Sequence, residues 1–419
     1  MDNSFGITCF LFLVIWLVPI CAREFRNSAQ LMLAYWFLIA IHQAVAFTNA
    51  FLFTTISGSG DATGFHNKAI TFVQSEHFAF YLYGGHFYAN MLGIVYWIFG
   101  TSKILGQQLS ILAFSISCVV LVKILCQLEL SRYKVPVLLA FGALPTMVFL
   151  GSLTSREPHE IMFFMLASYF GLKMYIARGI NKYLLFMIMS AVGMAVFHQA
   201  LYVYACFLIM LFLLWPHGPV YVWSVRKLRV VAAFAVPVLI LVSANYLAGN
   251  SPLSVFGNSP LSFFNDIATS LWGDKDVLER AAWYRDAATV SRASYGIALD
   301  LSSSFATIYS SLQIYIYYLF APFPWQVSNI PDLYAALESF LRLVLIYFAL
   351  KNWRNAYGEQ RRLIGLMLIL FFSMAFLWAL GTTNYGQAIR HHMLSWWIIV
   401  ILGVPPLLEN RWVNRFLKK

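Results

Sequence analysis

The sequence predicts an all-α polytopic membrane protein of about 11–12 transmembrane helices with two large outer loops, on the strength of three observations. Apolar runs recur from Phe5 to Leu408 in a chain that is 61% hydrophobic and 11% charged. Runs of that length are what a helix needs to cross a bilayer, where lipid offers the backbone no hydrogen-bond partners. Basic residues then gather in alternate connections or the C-terminal tail: Arg23, Arg26, Arg132, Lys134, Arg178, Lys182, Arg226, Lys227, Arg229, Lys351, Arg354, Arg361, Arg362, Arg411, Arg415, Lys418 and Lys419. These 17 of the 28 basic residues mark the cytoplasmic side. Finally, the other connections carry the acids: Asp61, Glu76, Glu157, Glu160, Asp266, Asp274, Asp276, Glu279, Asp286, Asp300 and Asp332. The formal charge of +11 is therefore a topology signal, and no nucleic-acid partner is expected.

Taken in order, the elements follow from charge and apolarity. The run from Phe5 to Ile20 follows the acidic Met1-Asp2-Asn3 and precedes Arg23 and Arg26. A signal peptide has the opposite polarity, so this run reads as a retained span with its N-terminus outside. The expected spans are 4–22, 30–54, 105–127, 134–152, 159–177, 182–197, 199–215, 229–247, 334–350, 364–381 and 393–408. The first outer loop, 55–104, is polar from Ser57 to His66. From Phe78 to Gly100 it is aromatic and broken by Gly84, Gly85 and Gly93, which suits helices lying in the membrane interface. The second outer loop, 248–333, holds Trp272, the Trp283-Tyr284-Arg285-Asp286 run and Pro322-Phe323-Pro324-Trp325. Trp272, Trp283 and Trp325 sit where a ligand from outside could meet them, or serve as interface anchors. Within this loop Ser303 to Phe320 is long enough to cross, but a lone crossing would put the next basic loop on the wrong side. It either pairs with another crossing or re-enters.

With no linker or soluble segment, residues 1–419 read as a single membrane domain. The absence of an internal repeat counts against transporters built from duplicated halves. The cysteines Cys9, Cys21, Cys118, Cys126 and Cys206 fall in or beside apolar runs without metal-ligand spacing, so they read as small hydrophobes. No cofactor is expected, and nothing in the pattern supports a divalent metal.

Four polar clusters share the expected outer face. Gly60-Asp61 through His66 offers a carboxylate placed to act as general base, though Gly-Asp is first of all common turn chemistry. Arg156-Glu157-Pro158-His159-Glu160 opens a span. There Arg156 suits a phosphate through its planar donors, or pairs with Glu157 or Glu160. His198-Gln199 interrupts an apolar stretch too long for one crossing, as a structural or a substrate-facing histidine. Arg390-His391-His392 sets three potentially cationic groups in a row before the last span, more than snorkelling accounts for. A base and several anion binders around a membrane body suit an enzyme acting on a lipid-linked phosphate.

The Gly60-Asp61 loop, followed by Tyr88-Ala-Asn-Met-Leu-Gly-Ile-Val-Tyr-Trp-Ile-Phe-Gly100, resembles the first outer loop of GT-C class glycosyltransferases. Arg156 through Phe197-His198-Gln-Ala-Leu201 resembles the bacterial O-antigen and exopolysaccharide repeat-unit polymerases, and Asn384 through Arg390-His391 resembles the tail of membrane proteins of polysaccharide clusters. The resemblance implies a GT-C-like fold and glycosyl transfer, inverting, from a polyprenyl (undecaprenyl-type) phosphate or diphosphate donor to a glycan or lipid-linked glycan. The reaction would take place on the periplasmic face of the bacterial inner membrane, with membrane lipids as the other partner. It implies Asp61 as base, Arg156 and Arg390 as the phosphate clamp and His391 as their assistant, with substrate contacts from His66, Glu157, His159, His198, Trp283, Arg285 and His392. Many GT-C enzymes carry two adjacent acids in the first loop, whereas Ala62 follows Asp61 here, which puts a metal-dependent variant in doubt. A transporter of lipid-linked oligosaccharides is the competing expectation, favoured by Arg342 inside a span, unless that residue pairs with Glu338 one turn earlier.

Overall fold

The computed structural model describes residues 3–55, 58, 60–75, 84–177, 181–198, 200–215 and 293–410. Among them every regular element is helical: α1 (Asn3–Leu17), α2 (Ala29–Phe47), α3 (Asp61–Gln74), α4 (Gly84–Phe99), α5 (Lys103–Gln127), α6 (Lys134–Gly142), α7 (Pro145–Gly151), α8 (Glu157–Ile176), α9 (Lys182–Phe197), α10 (Ala200–Leu214), α11 (Ser304–Phe320), α12 (Ile330–Asn355), α13 (Gly358–Gly381) and α14 (Tyr385–Glu409). Among the described residues, six stretches are long and apolar enough to cross a membrane: Ser4–Cys21, Ala29–Leu52, α5, α12, α13 and α14. Taking α6 and α7 as one broken span makes seven, and α9 and α10 are shorter apolar helices. The expected span 229–247 and the 248–292 part of the second outer loop lie outside the described residues.

Local chemistry sets the boundaries. Ser28 accepts a hydrogen bond from the Leu31 N–H (3.3 Å) and so starts α2, and Asn181 accepts from Tyr183 N–H (2.9 Å) to start α9. Asn384 accepts from Gln387 N–H (2.8 Å), so α14 begins eight residues before the expected 393, and Arg390, His391 and His392 are helical. The expected single span 134–152 bends by 67° between α6 and α7. Pro145 opens α7, and Leu144 before it is extended (ψ 127°), the conformation that a following proline favours. Segment 304–320 is one unbroken helix.

The chain separates into two compact units: residues 1–209, 340–374 and 389–419, and residues 210–339 with 375–388. In the first, α8 packs on α9 and α5, α3 on α4, and α1 on α5. Buried amides tie α2 and the turn after it to α5, as befits a medium without competing water. Gln43 and Gln108 exchange two bonds of 2.8 Å, and Gln107 Nε2 donates to Asn49 Oδ1 at 2.9 Å. Pro406 inside α14 cannot donate to the Leu402 carbonyl; Asn352 Nδ2 of α12 donates to that oxygen instead, at 3.4 Å.

Candidate functional site

Residues near the beginnings of three helices, all of them in the first unit, converge on one charged cluster. Asp61 is the first residue of α3, entered through Gly60 at φ 73°, a conformation that favours glycine. Arg156 is the N-cap of α8, and Glu157 and Glu160 occupy its first turn, where the helix dipole favours acids. Arg390 sits in the second turn of α14.

Arg390 bridges two carboxylates: Nη1 donates to Asp61 Oδ2 and Nη2 to Glu157 Oε1. The two partners differ in setting, since the Asp61 side chain is 59% exposed and that of Glu157 only 3%. Arg156 faces buried Glu160 at 3.4 Å (Nε to Oε1), the pairing weighed against phosphate binding from the sequence. It also donates from Nη1 to the Phe197 carbonyl at 3.3 Å. The five charged side chains thus interlock as two arginines among three acids.

Aromatic rings hold this cluster from one side. Phe65, Tyr88 and Phe197 form a buried group, with Phe65 edge-on to Tyr88 at 5.0 Å and the Arg156 guanidinium 5.9 Å from the Phe65 ring centre. Gly85 lets α4 approach: a Cβ there would lie 3.1 Å from the Phe65 ring and 3.6 Å from Arg156 Nη1. His159 is buried in the same group, stacked on Phe197 at 5.4 Å and tilted against Tyr88 at 5.5 Å. Its surroundings are those of a packed ring.

Of the other candidates, His198 and His391 stand within electrostatic reach of Arg156 and Arg390. His198 occupies the break between α9 and α10, where its Nδ1 accepts the Ala200 N–H at 3.3 Å, which leaves Nε2 to carry the ring proton. Burial, then the positive charge of Arg156, push His198 well below the ordinary histidine range, so it is neutral at pH 7. His391 follows Arg390 and is half-buried, and His392 is buried. His66 bonds through Nδ1 to Tyr96 Oη (2.8 Å), which ties α3 to α4; burial, then Lys103, lower its pKa. Trp283 and Arg285 lie outside the described residues. Among the described residues no group of three or more His, Cys, Asp or Glu side chains is disposed to hold a metal ion.

Local reading singled out Asp61, Arg156 and Arg390 but not the partnership among them. Glu160, expected as one of two alternative partners of Arg156, is the one that faces its Nε, and Tyr88, read only as motif, belongs to the wall of the cluster. Comparison with protein-family models, curated proteins and solved structures finds no match to the chain.

Proposed function

We propose that the chain is a membrane glycosyltransferase with a GT-C-like fold, polymerising surface-polysaccharide repeat units from a polyprenyl phosphate- or diphosphate-linked donor. Its two outer loops and its site would face the periplasm from a bacterial inner membrane. The observation that carries this reading is the convergence of Asp61, Arg156, Glu157 and Arg390 from three helix starts far apart in sequence.

In this reading the donor phosphate replaces Asp61 on Arg390, because exposed Asp61 leaves for water at little cost while buried Glu157 stays and orients the guanidinium. Released, Asp61 takes the proton from the acceptor hydroxyl. The acceptor oxygen bonds to the anomeric carbon as that carbon's bond to the phosphate oxygen breaks, inverting the centre. Arg390 and Arg156, with His391 assisting, neutralise the charge that develops on the departing phosphate. Neutral His198 serves as a hydrogen-bond partner for substrate. A transferase that adds a single sugar uses the same groups. The competing transporter reading rests on Arg342, buried inside α12, whose spacing of one turn from the equally buried Glu338 also suits a structural pair.

The test is gel analysis of surface glycan from a deletion strain complemented with wild type, Asp61→Asn, Arg156→Ala or Arg390→Ala, each checked for membrane expression. Loss of long chains with single repeats retained is expected. Chains of normal length and altered sugar content would indicate the single-sugar transferase. Wild-type behaviour of the arginine variants would favour transport.

A further inference from the structure

A cavity of about 460 Å³ lies in the second unit, outside the arginine–carboxylate cluster, between the chain at Gly296–Ala298 and the opening turns of α11. Its framework is fixed. Tyr295 N–H donates to the Thr383 carbonyl (3.0 Å), Ser294 is bridged antiparallel to Asn384, and Gly296 adopts φ 65°. Ser303 caps α11 through the Ala306 N–H (3.2 Å), and Ser310 Oγ accepts the Asp300 N–H (3.1 Å), locking Asp300 to the helix.

The lining has two characters. Phe305 and Tyr309, one turn apart, lie almost parallel (10°, centroids 6.5 Å apart), and are 79% and 56% exposed. Beside them stand the Asp300 carboxylate, which accepts the Ser302 N–H at 2.9 Å, and the Gln313 amide. Bonds from the Ser302 side chain and backbone hold the Asp300 carboxyl below its usual range, so it is an ionised acceptor. The volume is that of a small-molecule site, about 300–1,000 Å³. Flat aromatic faces beside a carboxylate and an amide fit a sugar, whose ring presents apolar C–H faces and a rim of hydroxyls. An anion would be repelled by Asp300, and an acyl chain would strip water from Asp300 and Gln313 without replacing its hydrogen bonds.

We propose that this cavity is a saccharide-binding subsite in which Phe305 and Tyr309 stack on sugar rings while Asp300 and Gln313 bond their hydroxyls. It rests on the transferase reading for its ligand, the glycan acceptor. Ile308, Leu312 and Ile316 continue the exposed face down α11, so the rival occupant is lipid.

Saturation-transfer NMR on the full chain in nanodiscs tests it, with oligosaccharides released by mild acid from the surface glycan of the producing cell as probe. Transfer to sugar ring protons is expected, weakened about tenfold or more by Tyr309→Ala and by Asp300→Asn, and retained by Tyr309→Trp. Asp61→Asn should bind as wild type while losing chain elongation. Equal binding by wild type, Tyr309→Ala and Asp300→Asn, or none by wild type, overturns the subsite. So does a Tyr309→Cys variant that reacts only with a lipid-soluble maleimide, which assigns the face to the bilayer. If the Asp61, Arg156 and Arg390 variants elongate glycan normally while saccharide still binds here, the transferase reading falls and the subsite stands.

Discussion

At the scale of single residues, the asymmetry between the two partners of Arg390 makes a sharp prediction. Glu157 is nearly out of solvent, and its Oε2 has no hydrogen-bond partner among the described residues, so Arg390 is its main compensation. Removing one member of a buried pair costs about 3–5 kcal/mol, whereas an exposed pair is worth about 0–1 kcal/mol. Arg390→Ala should therefore strongly lower the melting temperature of the purified protein in nanodiscs, and Asp61→Asn should scarcely move it. Adding Glu157→Gln to Arg390→Ala should recover much of the loss. Equal destabilisation by the two single variants would refute the assignment. The individual charges were legible, because polar residues stand out in connections of an apolar chain. Their pairing was not, since Asp61 and Glu157 lie 329 and 233 residues from Arg390 and no local pattern spans that distance.

Among elements, the bounds of most described helices could be read closely because each apolar run ends at a charge or a cap. Six or seven of them, against eleven expected spans, are long and apolar enough to cross, and α8 at the expected span 159–177 is not one of these. The bend at Pro145 and the early start of α14 are set by one proline and by one asparagine cap, signals that hydropathy averages away. Close helix approach is similarly local. A Cβ on Gly403 of α14 would come to 2.5 Å from the Leu345 carbonyl oxygen and 3.0 Å from its Cα in α12, and backbone cannot turn aside as a side chain can. Gly403→Ala should cost about 1–3 kcal/mol by overpacking. Gly64→Ala, with open space around it, should be neutral or slightly stabilising by helix propensity. Thermal unfolding of the two variants side by side checks this, and a neutral Gly403→Ala would show that the two helices are not in close contact.

For the whole molecule, the all-helical build and its six or seven candidate crossings agree with a multi-pass membrane protein. The sidedness read from its charges is open to direct measurement. In a background with all five cysteines replaced, Thr63→Cys should react with an impermeant maleimide in spheroplasts, and Asn355→Cys only after permeabilisation. The reverse pattern would invert the topology. The bridge at Arg390 also has a consequence for how the chain is made. Glu157 leaves the ribosome 233 residues ahead of the arginine that neutralises it, so through most of synthesis that acid has only Arg156 beside it. A chain stopped before α14 would keep an under-compensated acid at the head of α8, a feature by which membrane quality control could tell an unfinished copy from a finished one.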